Sequence, residues 1–275
     1  MALIYTKNSV MMNSDISVDL LLGKLLAEKG RFLSSDWFYS TELRVFQLQI
    51  VYKYLFRLFP NNWLMVSMTS TVVFVVLFVV SFLYMCRMIG VGREGFYAAS
   101  LLVRPFGQWY FRLVLYGHHY PMHFVSEFLS LGLFFSIVRG DKNKLRGAIK
   151  LVVLALMGFI FGLEGIKIFI ICYAPLLVLV AISLWGSLNE KYWNRPMIMK
   201  LEKGEMKRAI VAVLVALVSA FVGLCINRGV LDKKYCWSDM FVLNWAKLFT
   251  NNPLEEILSG FFALFGWHEE VLMVR

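Results

Sequence analysis

Long apolar runs separated by short charged stretches dominate the hydrophobic pattern of this chain. The clearest run covers residues 58–86, and two others cover 168–189 and 209–227; none of the three contains a charged residue. A helix needs about 20 mostly apolar residues to cross the roughly 30 Å hydrocarbon core of a bilayer. Each run therefore predicts a membrane-spanning helix.

Three further segments fit a span less well. The segment 120–138 is long enough but contains two ionisable side chains, and 151–163 is short and follows Lys150. The segment 95–103 has only nine uncharged residues before Arg104. It is either a short span extended by the snorkelling Arg104 side chain or a half-crossing segment.

Positive charges between the apolar runs indicate the orientation of the chain. They fall into three groups, after the first, third and fifth predicted spans, and by the positive-inside rule these loops share the cytoplasmic side. This arrangement requires 95–103, or its extension, to return the chain to the outside, so we predict six crossings. The three groups are Arg87 and Arg93; Arg139, Lys142, Lys144, Arg146 and Lys150; and Lys191, Arg195, Lys200, Lys203, Lys207 and Arg208.

The expected fold is therefore an all-α polytopic membrane protein with amphipathic helices on its outer face. Residues 1–62 form an extracytoplasmic segment and residues 228–275 an extracytoplasmic tail. An outer N-terminus of that length needs a preceding helix to translocate it, so either this topology is wrong or a preceding helix is missing. We expect a portion of a longer protein, truncated at both ends. The bundle 63–227 is predicted to hold spans at about 63–85, 94–111, 120–138, 147–164, 167–187 and 209–227.

Composition excludes several classes of protein. Apolar residues make up 59% of the 275 residues and charged residues 17%, whereas soluble domains have about 45–50% and about 25%. A disordered chain, a secreted disulfide scaffold and an ordinary soluble enzyme are thereby excluded. The net charge of +10 is explained by the loop cations, so no nucleic-acid partner is expected. The four scattered cysteines indicate buried thiols.

Residues 13–62 are the richest in candidate chemistry. Ser14 or Asp15 can cap a first helix that ends at Gly30. A second helix carries apolar residues at spacings of three and four, typical of an amphipathic helix lying on a membrane surface; these are Leu43, Phe46, Ile50, Tyr54 and Leu58.

Five carboxylates lie in the same region of a cationic protein. They are explained either as helix caps and solvated groups, or as including one general base or metal ligand beneath a membrane-facing cleft. The five are Asp15, Asp19, Glu28, Asp36 and Glu42.

Three stretches resemble a known group of enzymes. The first runs from Asp15-Ile-Ser through Leu22-Gly-Lys and Gly30 to Ser35-Asp-Trp-Phe-Tyr-Ser-Thr-Glu-Leu-Arg. The second is Arg104-Pro-Phe-Gly followed by Leu115-Tyr-Gly-His-His-Tyr-Pro-Met-His, and the third is Gly162-Leu-Glu-Gly-Ile-Lys leading to Tyr173-Ala-Pro. Over about residues 13–180, their order and spacing resemble bacterial membrane proteins of the GT-C glycosyltransferase superfamily, which are related in architecture to protein mannosyltransferases and arabinosyltransferases.

This resemblance implies transfer of a sugar from a polyprenyl-phosphate carrier to an acceptor, a cell-envelope glycan or protein, outside the cell membrane. A carboxylate of the first outer loop activates the acceptor hydroxyl, and Asp15 stands at the matching position. Arg104, Arg112 and Lys167 are candidate cations for the phosphate leaving group. No cofactor is expected, although a divalent cation would be compatible. The expected substrate-binding residues are Asp36, Trp37, Tyr39, Glu42, Arg44, Arg104, His118, His123 and Lys167.

Ionisable residues in the middle of the chain leave other interpretations open. His119, His123 and Glu127 are spaced by four, so they form a metal site, a polar cluster lining a cleft or a helix contact. Glu164 and Lys167 form either an exposed ion pair or a phosphate site in which Glu164 holds Lys167 in place.

Two alternatives to an enzyme remain. Glu127, the histidines and the segment 95–103 are compatible with a transporter or flippase subunit. The missing N-terminal helix is compatible with a non-catalytic remnant or assembly partner. Gly158 and Gly162 form a GxxxG pattern that predicts close helix packing.

Overall fold

The computed structural model describes residues 14–39, 43–46, 48–104, 107, 110–116, 120–140, 143–188 and 201–237. Over these residues the chain is helical, and the only extended pairing is a single bridge between Tyr39 and Trp237. Two π-helical turns interrupt the α-helical pattern, at Phe111–Tyr116 and Asn227–Leu231. The α-helices are α1 (Ser14–Lys29), α2 (Leu48–Leu58), α3 (Trp63–Ile89), α4 (Glu94–Leu102), α5 (Pro121–Arg139), α6 (Lys144–Leu163), α7 (Ile166–Leu188) and α8 (Lys203–Ile226).

Four helices are long and apolar enough to cross a membrane, which confirms the all-α class and makes a membrane location plausible. They are α3, α5, α6 and α8, the last together with the second π-helical turn. The apolar part of α7, Ile170–Trp185, is shorter. Of the six predicted crossings, length and composition thus support four, and the other two stay predictions.

Local sequence explains where the long helices begin and end. The Asn62 side chain accepts a hydrogen bond from the Met65 N–H at the start of α3, and Asn143 accepts one from the Leu145 N–H at the start of α6. Asn at these positions satisfies one of the free N–H groups of the first turn. Gly90 ends α3 in the left-handed region with φ 93°, a conformation that glycine adopts without strain.

Two arginines bring three helix termini together at one end of the bundle. Arg139 Nη2 donates to the Ile89 carbonyl oxygen at 2.7 Å, and Arg208 Nε donates to the Val138 carbonyl oxygen at 2.8 Å. The last turns of α3 and α5 therefore meet the first turns of α8. We call this the arginine-linked end, and it gathers the termini that flank the three predicted cationic loops.

The opposite end is tied by one amide side chain. Asn227 Nδ2 donates to the carbonyl oxygens of Leu163 and Leu43, at 2.8 and 2.9 Å. The end of α6 and the end of α8 therefore meet a stretch that precedes α2. We call this the capped end, because residues 31–39 and 43–46, the described parts of the 31–46 segment, pack over it.

The chain between α3 and α5 returns from one end to the other in pieces. Since α3 and α5 both finish at the arginine-linked end, residues 90–120 must run back to the capped end. They contain α4, only about 14 Å long at 1.5 Å per residue, then a turn at Val103, and then the first π-helical turn. The predicted span 94–111 is therefore not one continuous helix, and we call residues 94–116 the interrupted return.

Helices α6 and α8 are in backbone contact along glycine residues. A Cβ atom at Gly162 would overlap the carbonyl oxygen of Ala220, and one at Gly223 would overlap that of Phe159. The close packing predicted from Gly158 and Gly162 is thus confirmed, because only the absence of a side chain permits this approach.

Candidate functional site

A cluster of polar side chains lies inside the bundle near the capped end. Tyr52 of α2 shares a hydrogen bond with the Ser70 hydroxyl of α3 and lies close enough to Asp19 of α1 for their charges to interact. Tyr116 of the first π-helical turn shares one with Ser67. Both tyrosines and both serines are buried, and Asp19 is half-buried. We call these five residues the tyrosine–serine cluster.

Backbone geometry explains why α3 accepts serines at this depth. The Ser70 hydroxyl donates to the Ser67 carbonyl oxygen at 2.7 Å, and Thr71 Oγ1 donates to the same oxygen at 3.0 Å. A hydroxyl in an apolar helix satisfies its donor in this way while its oxygen remains able to accept. The serines therefore stay compatible with burial and still present acceptors to the tyrosines.

Electrostatics within the cluster favour protonated phenols. Burial raises the pKa of Tyr52 well above its usual value, the charge of Asp19 raises it further, and the hydrogen bond with Ser70 acts in the opposite direction. Tyr52 therefore remains an O–H donor at neutral pH. A half-buried carboxylate beside such a donor is a chemical pair that can accept and position a hydroxyl proton.

The cluster lies one to two turns beyond the start of α3, one of the four helices long and apolar enough to cross a membrane. Ser67 and Ser70 are four and seven residues beyond Trp63, about 6–10 Å along the helix axis. Irregular backbone at membrane depth is tolerated where it is buried in protein or borders a polar cavity, and the first π-helical turn provides such backbone at Tyr116. π-Helical turns are frequent at functional sites. The tyrosine–serine cluster is therefore our candidate site.

The predicted base Asp15 lies outside this cluster. Its side chain is exposed in the first turn of α1, one turn before Asp19. In the sequence, Asp19 is one of five carboxylates and nothing distinguishes it. Its neighbour Tyr52 comes from α2, and Tyr52 is in turn linked to Ser70 of α3 and lies near Tyr116 of the π-helical turn.

A second polar group fixes the 31–46 segment to the capped end. Glu164 is only 2% exposed, and its Oε1 atom accepts the backbone N–H groups of Val45, at 3.2 Å, and Phe46. The prediction of an exposed Glu164–Lys167 ion pair is therefore wrong for Glu164, because its carboxylate turns inward to backbone donors. The Lys167 side chain lies outside the described residues.

The predicted substrate-binding residues Asp36, Trp37 and Tyr39 also help to hold the 31–46 segment in place. The Asp36 carboxylate pairs with Lys29, and Trp37 packs against the apolar cluster around Leu163. The Tyr39 N–H donates to the Cys236 carbonyl oxygen at 3.0 Å, and its hydroxyl accepts the Ser34 N–H at 3.1 Å. Each of the three side chains therefore has a structural contact that explains its position.

The remaining predicted site residues are dispersed. Arg44 is half-buried, and its carbonyl oxygen accepts Gln49 Nε2 at 2.6 Å. His123 is half-buried in the first turn of α5 with its ring 6.0 Å from that of Tyr120. Arg104 is exposed after α4. Glu42, His118, His119 and the Arg112 side chain lie outside the described residues.

Metal ligands do not converge within the described ranges. Among those residues, no three His, Cys, Asp or Glu side chains are grouped so that they could hold an ion. His123 and Glu127 lie one turn apart on α5, as predicted for a shared face, but His119 is not among the described residues.

Comparison with known proteins does not supply a function. No protein-family model, curated protein or solved structure matches this chain. The features that bear on function are therefore the tyrosine–serine cluster, the attachment of the 31–46 segment and the interrupted return.

Proposed function

We propose that the protein is a membrane glycosyltransferase-like enzyme that transfers a sugar from a polyprenyl-phosphate donor to an acceptor at the membrane surface. The observation that carries the proposal is the half-buried carboxylate of Asp19 beside the buried Tyr52 phenol, which is hydrogen-bonded to Ser70 about two turns beyond the start of α3. At this depth a polyprenyl chain can remain in the bilayer while its sugar phosphate reaches polar groups. The resemblance of residues 13–180 to the GT-C superfamily supports the same chemistry.

Asp19 replaces Asp15 as the proposed base. In the transfer step, an acceptor hydroxyl attacks the anomeric carbon, a new carbon–oxygen bond forms, and the bond to the phosphate oxygen breaks. The hydroxyl proton passes to Asp19, and the leaving phosphate carries away the electron pair. Tyr52 is kept protonated by burial, so it places no second negative charge beside Asp19.

Paired variants test this assignment. Membranes containing the full chain would be supplied with labelled polyprenyl-phosphate sugars, and transfer to endogenous acceptors would be measured. We expect Asp19→Asn to lower the rate at least about 100-fold, as for loss of a general base. Asp15→Asn is the matched control, since it makes the same change one turn away at an exposed position, and should stay near the original rate.

Three outcomes would count against the proposal. If Asp15→Asn abolished transfer and Asp19→Asn did not, the base would be Asp15. If both variants were fully active, neither carboxylate would take part. If the unmodified chain transferred no sugar from a broad set of donors, the enzyme proposal would fail.

Transport is a second candidate, favoured by the interrupted return. Discontinuous segments in transporters line substrate sites near the middle of the membrane, and Leu102 at the end of α4 packs near Phe78, in the middle of α3. Glu127 of α5, half-buried, is the ionisable group expected to serve such a path. Uptake of solute by reconstituted vesicles that is lost in Glu127→Gln and kept in Asp19→Asn would favour transport.

A further inference from the structure

Helix α2 is apolar on two opposite faces. Its inward face, including Tyr52 and Phe56, is buried against α1 and α3. Only part of the apolar stripe predicted to lie on a membrane surface points outward. Leu43 precedes the helix and is buried, whereas Phe46, also before the helix, is 37% exposed, Tyr54 47% and Leu58 70%. The side of a surface helix that faces water normally carries polar side chains. The apolar side chains on the outward face of α2 therefore need an apolar environment.

The position of α2 along α3 defines that environment. The Phe56 ring lies 4.9 Å from that of Trp63, at the first residue of α3, and the Tyr52 ring lies 6.4 Å from that of Phe74. Phe74 is about 17 Å further along the helix axis. Helix α2 therefore lies beside the turns of α3 nearest the capped end, at the depth of lipid headgroups and the first part of the acyl chains.

Two cations one turn apart on α2 lie beside this stripe. Lys53 is 2% exposed; its Nζ donates to the Gly30 carbonyl oxygen at 3.4 Å and lies 4.0 Å from the centre of the Phe32 ring. Arg57 is exposed, with its guanidinium 5.8 Å from the Tyr54 ring. Within the described part of the chain, neither cation forms an ion pair with a carboxylate.

The two cations differ in exposure, although both reach the C-terminal end of α1, where a Cβ atom on Gly30 would lie 3.6 Å from Arg57 Nη2. Lys53 is used by the fold, because it meets the C-terminal end of α1, where a positive charge is favoured by the helix dipole. Burial lowers the pKa of Lys53, and the charge of Arg57 lowers it further, which shows that the two charges repel each other. An anion bound at Arg57 would relieve this repulsion.

We propose that the outward face of α2 binds an anionic phospholipid of the adjacent leaflet, with its phosphate on Arg57 and its acyl chains along Tyr54 and Leu58. The charge and the apolar stripe are complementary to the two halves of such a lipid. The guanidinium can donate two parallel hydrogen bonds to phosphate oxygens. This inference does not depend on the proposed sugar transfer.

Lipid-dependent stability tests the proposal on the purified full chain in detergent. We would measure thermal unfolding with phosphatidylglycerol and with phosphatidylcholine of identical acyl chains, both added as mixed micelles. The original chain should be stabilised several degrees more by phosphatidylglycerol. Arg57→Gln should lose that difference, and Arg57→Lys should keep part of it.

Controls separate this surface from general charge effects. Arg146→Gln removes another exposed arginine, in the first turn of α6 at the arginine-linked end, and should keep the full response. The proposal would be overturned if Arg57→Gln responded like the original chain, or if Arg146→Gln lost the response equally. Equal stabilisation by water-soluble glycerol phosphate would also overturn it, because it would reveal a site for a free phosphate.

Discussion

The two ends of the bundle are held together by opposite chemistry. At the arginine-linked end, Arg139 and Arg208 donate to the last carbonyl groups of α3 and α5. At the capped end, Glu164 accepts backbone N–H groups and Asn227 donates to two carbonyl oxygens, and both side chains are buried. One end thus uses cations near water, and the other uses an acid and an amide shielded from it.

This difference has an energetic consequence. Water can replace a donor at an exposed helix end, and the cation there adds mainly a favourable interaction with the helix dipole. Water cannot reach a buried backbone N–H to replace a lost acceptor. Removing that acceptor therefore leaves the N–H without a hydrogen bond and costs its full desolvation free energy. We therefore expect the capped end to be the more sensitive to substitution, and the following changes test this in order of expected effect.

The largest effect is expected from Gly162→Ala, near the capped end of α6. The new methyl group would overlap the Ala220 carbonyl oxygen of α8, a backbone atom that cannot rotate away. We expect a loss of about 3 kcal/mol, at the upper end of overpacking, measured as a lowered unfolding midpoint in detergent.

Gly147→Ala is its control on the same helix, near the arginine-linked end. A Cβ atom there meets nothing within 4 Å, and alanine favours a helix over glycine by up to about 1 kcal/mol. The expected result is an unchanged or slightly raised midpoint. If the unfolding midpoint fell equally in Gly162→Ala and Gly147→Ala, the two ends of α6 would tolerate a side chain equally well.

Glu164→Ala tests the fastening of the 31–46 segment. The backbone N–H groups of Val45, in a buried hydrogen bond, and of Phe46, in a part-buried one, would lose their shared acceptor, which corresponds to about 2–3 kcal/mol. We expect this segment to detach first, so trypsin should cleave after Arg44 faster than in the original chain.

Glu164→Gln is the matched comparison, since it keeps an acceptor oxygen of the same shape without the charge. It should lie between the original chain and Glu164→Ala in both cleavage rate and unfolding midpoint. Unchanged cleavage in Glu164→Ala would mean that Asn227 and the apolar contacts hold the segment without the carboxylate.

A smaller effect is expected at the other end from Arg208→Gln. It removes the half-buried donor to the Val138 carbonyl oxygen. A helix-end carbonyl that loses one donor is better tolerated than a buried N–H that loses its acceptor, so we expect a loss of about 1 kcal/mol in unfolding free energy. A loss larger than that of Glu164→Ala would reverse the proposed difference between the ends.

The smallest effect concerns alkaline pH at the capped end. Burial raises the pKa of Tyr39 above its usual value of 10.0; the Ser34 hydrogen bond lowers it and Tyr235 raises it. Below pH 10 the phenol is protonated in both the folded and unfolded chains, so its contribution to stability is complete. As pH rises towards the folded pKa, the unfolded chain ionises first and that contribution is lost.

The unfolding midpoint should therefore fall more steeply above pH 10 in the original chain than in Tyr39→Phe. Tyr39→Phe also loses the Ser34 hydrogen bond, so the two curves are compared by slope and not by height. Parallel curves would show that Tyr39 does not ionise differently in the two states.

Part of this fold can be predicted from the sequence because its signals are local. The length of the uncharged runs predicted α3 and α8. Gly158 and Gly162 predicted the contact between α6 and α8. The cations of the loops predicted that the helix ends near Arg139 and Arg208 lie at the same end of the bundle. The apolar stripe of α2 was also predicted, although the opposite face, which packs on the bundle, was not.

The site could not be predicted in the same way because its contacts join distant parts of the chain. Asp19 gains significance only beside Tyr52 and the hydroxyl groups of α3. Glu164 looked like a surface acid, since nothing near it in sequence shows that the N–H groups of Val45 and Phe46 reach its carboxylate. Such pairings depend on how the helices are packed.

The interrupted return has a consequence for the assembly of the protein during synthesis. A translocon releases a segment into lipid when it is long and apolar enough, which α3 is and the nine residues of α4 are not. Residues 94–116 should therefore stay at the membrane surface until α5 has been synthesised and packs along α3. We expect a chain that ends near residue 115 and has been released from the ribosome to hold one membrane-inserted helix. A released chain that includes all of α5 should gain the return passage and α5 in a single step.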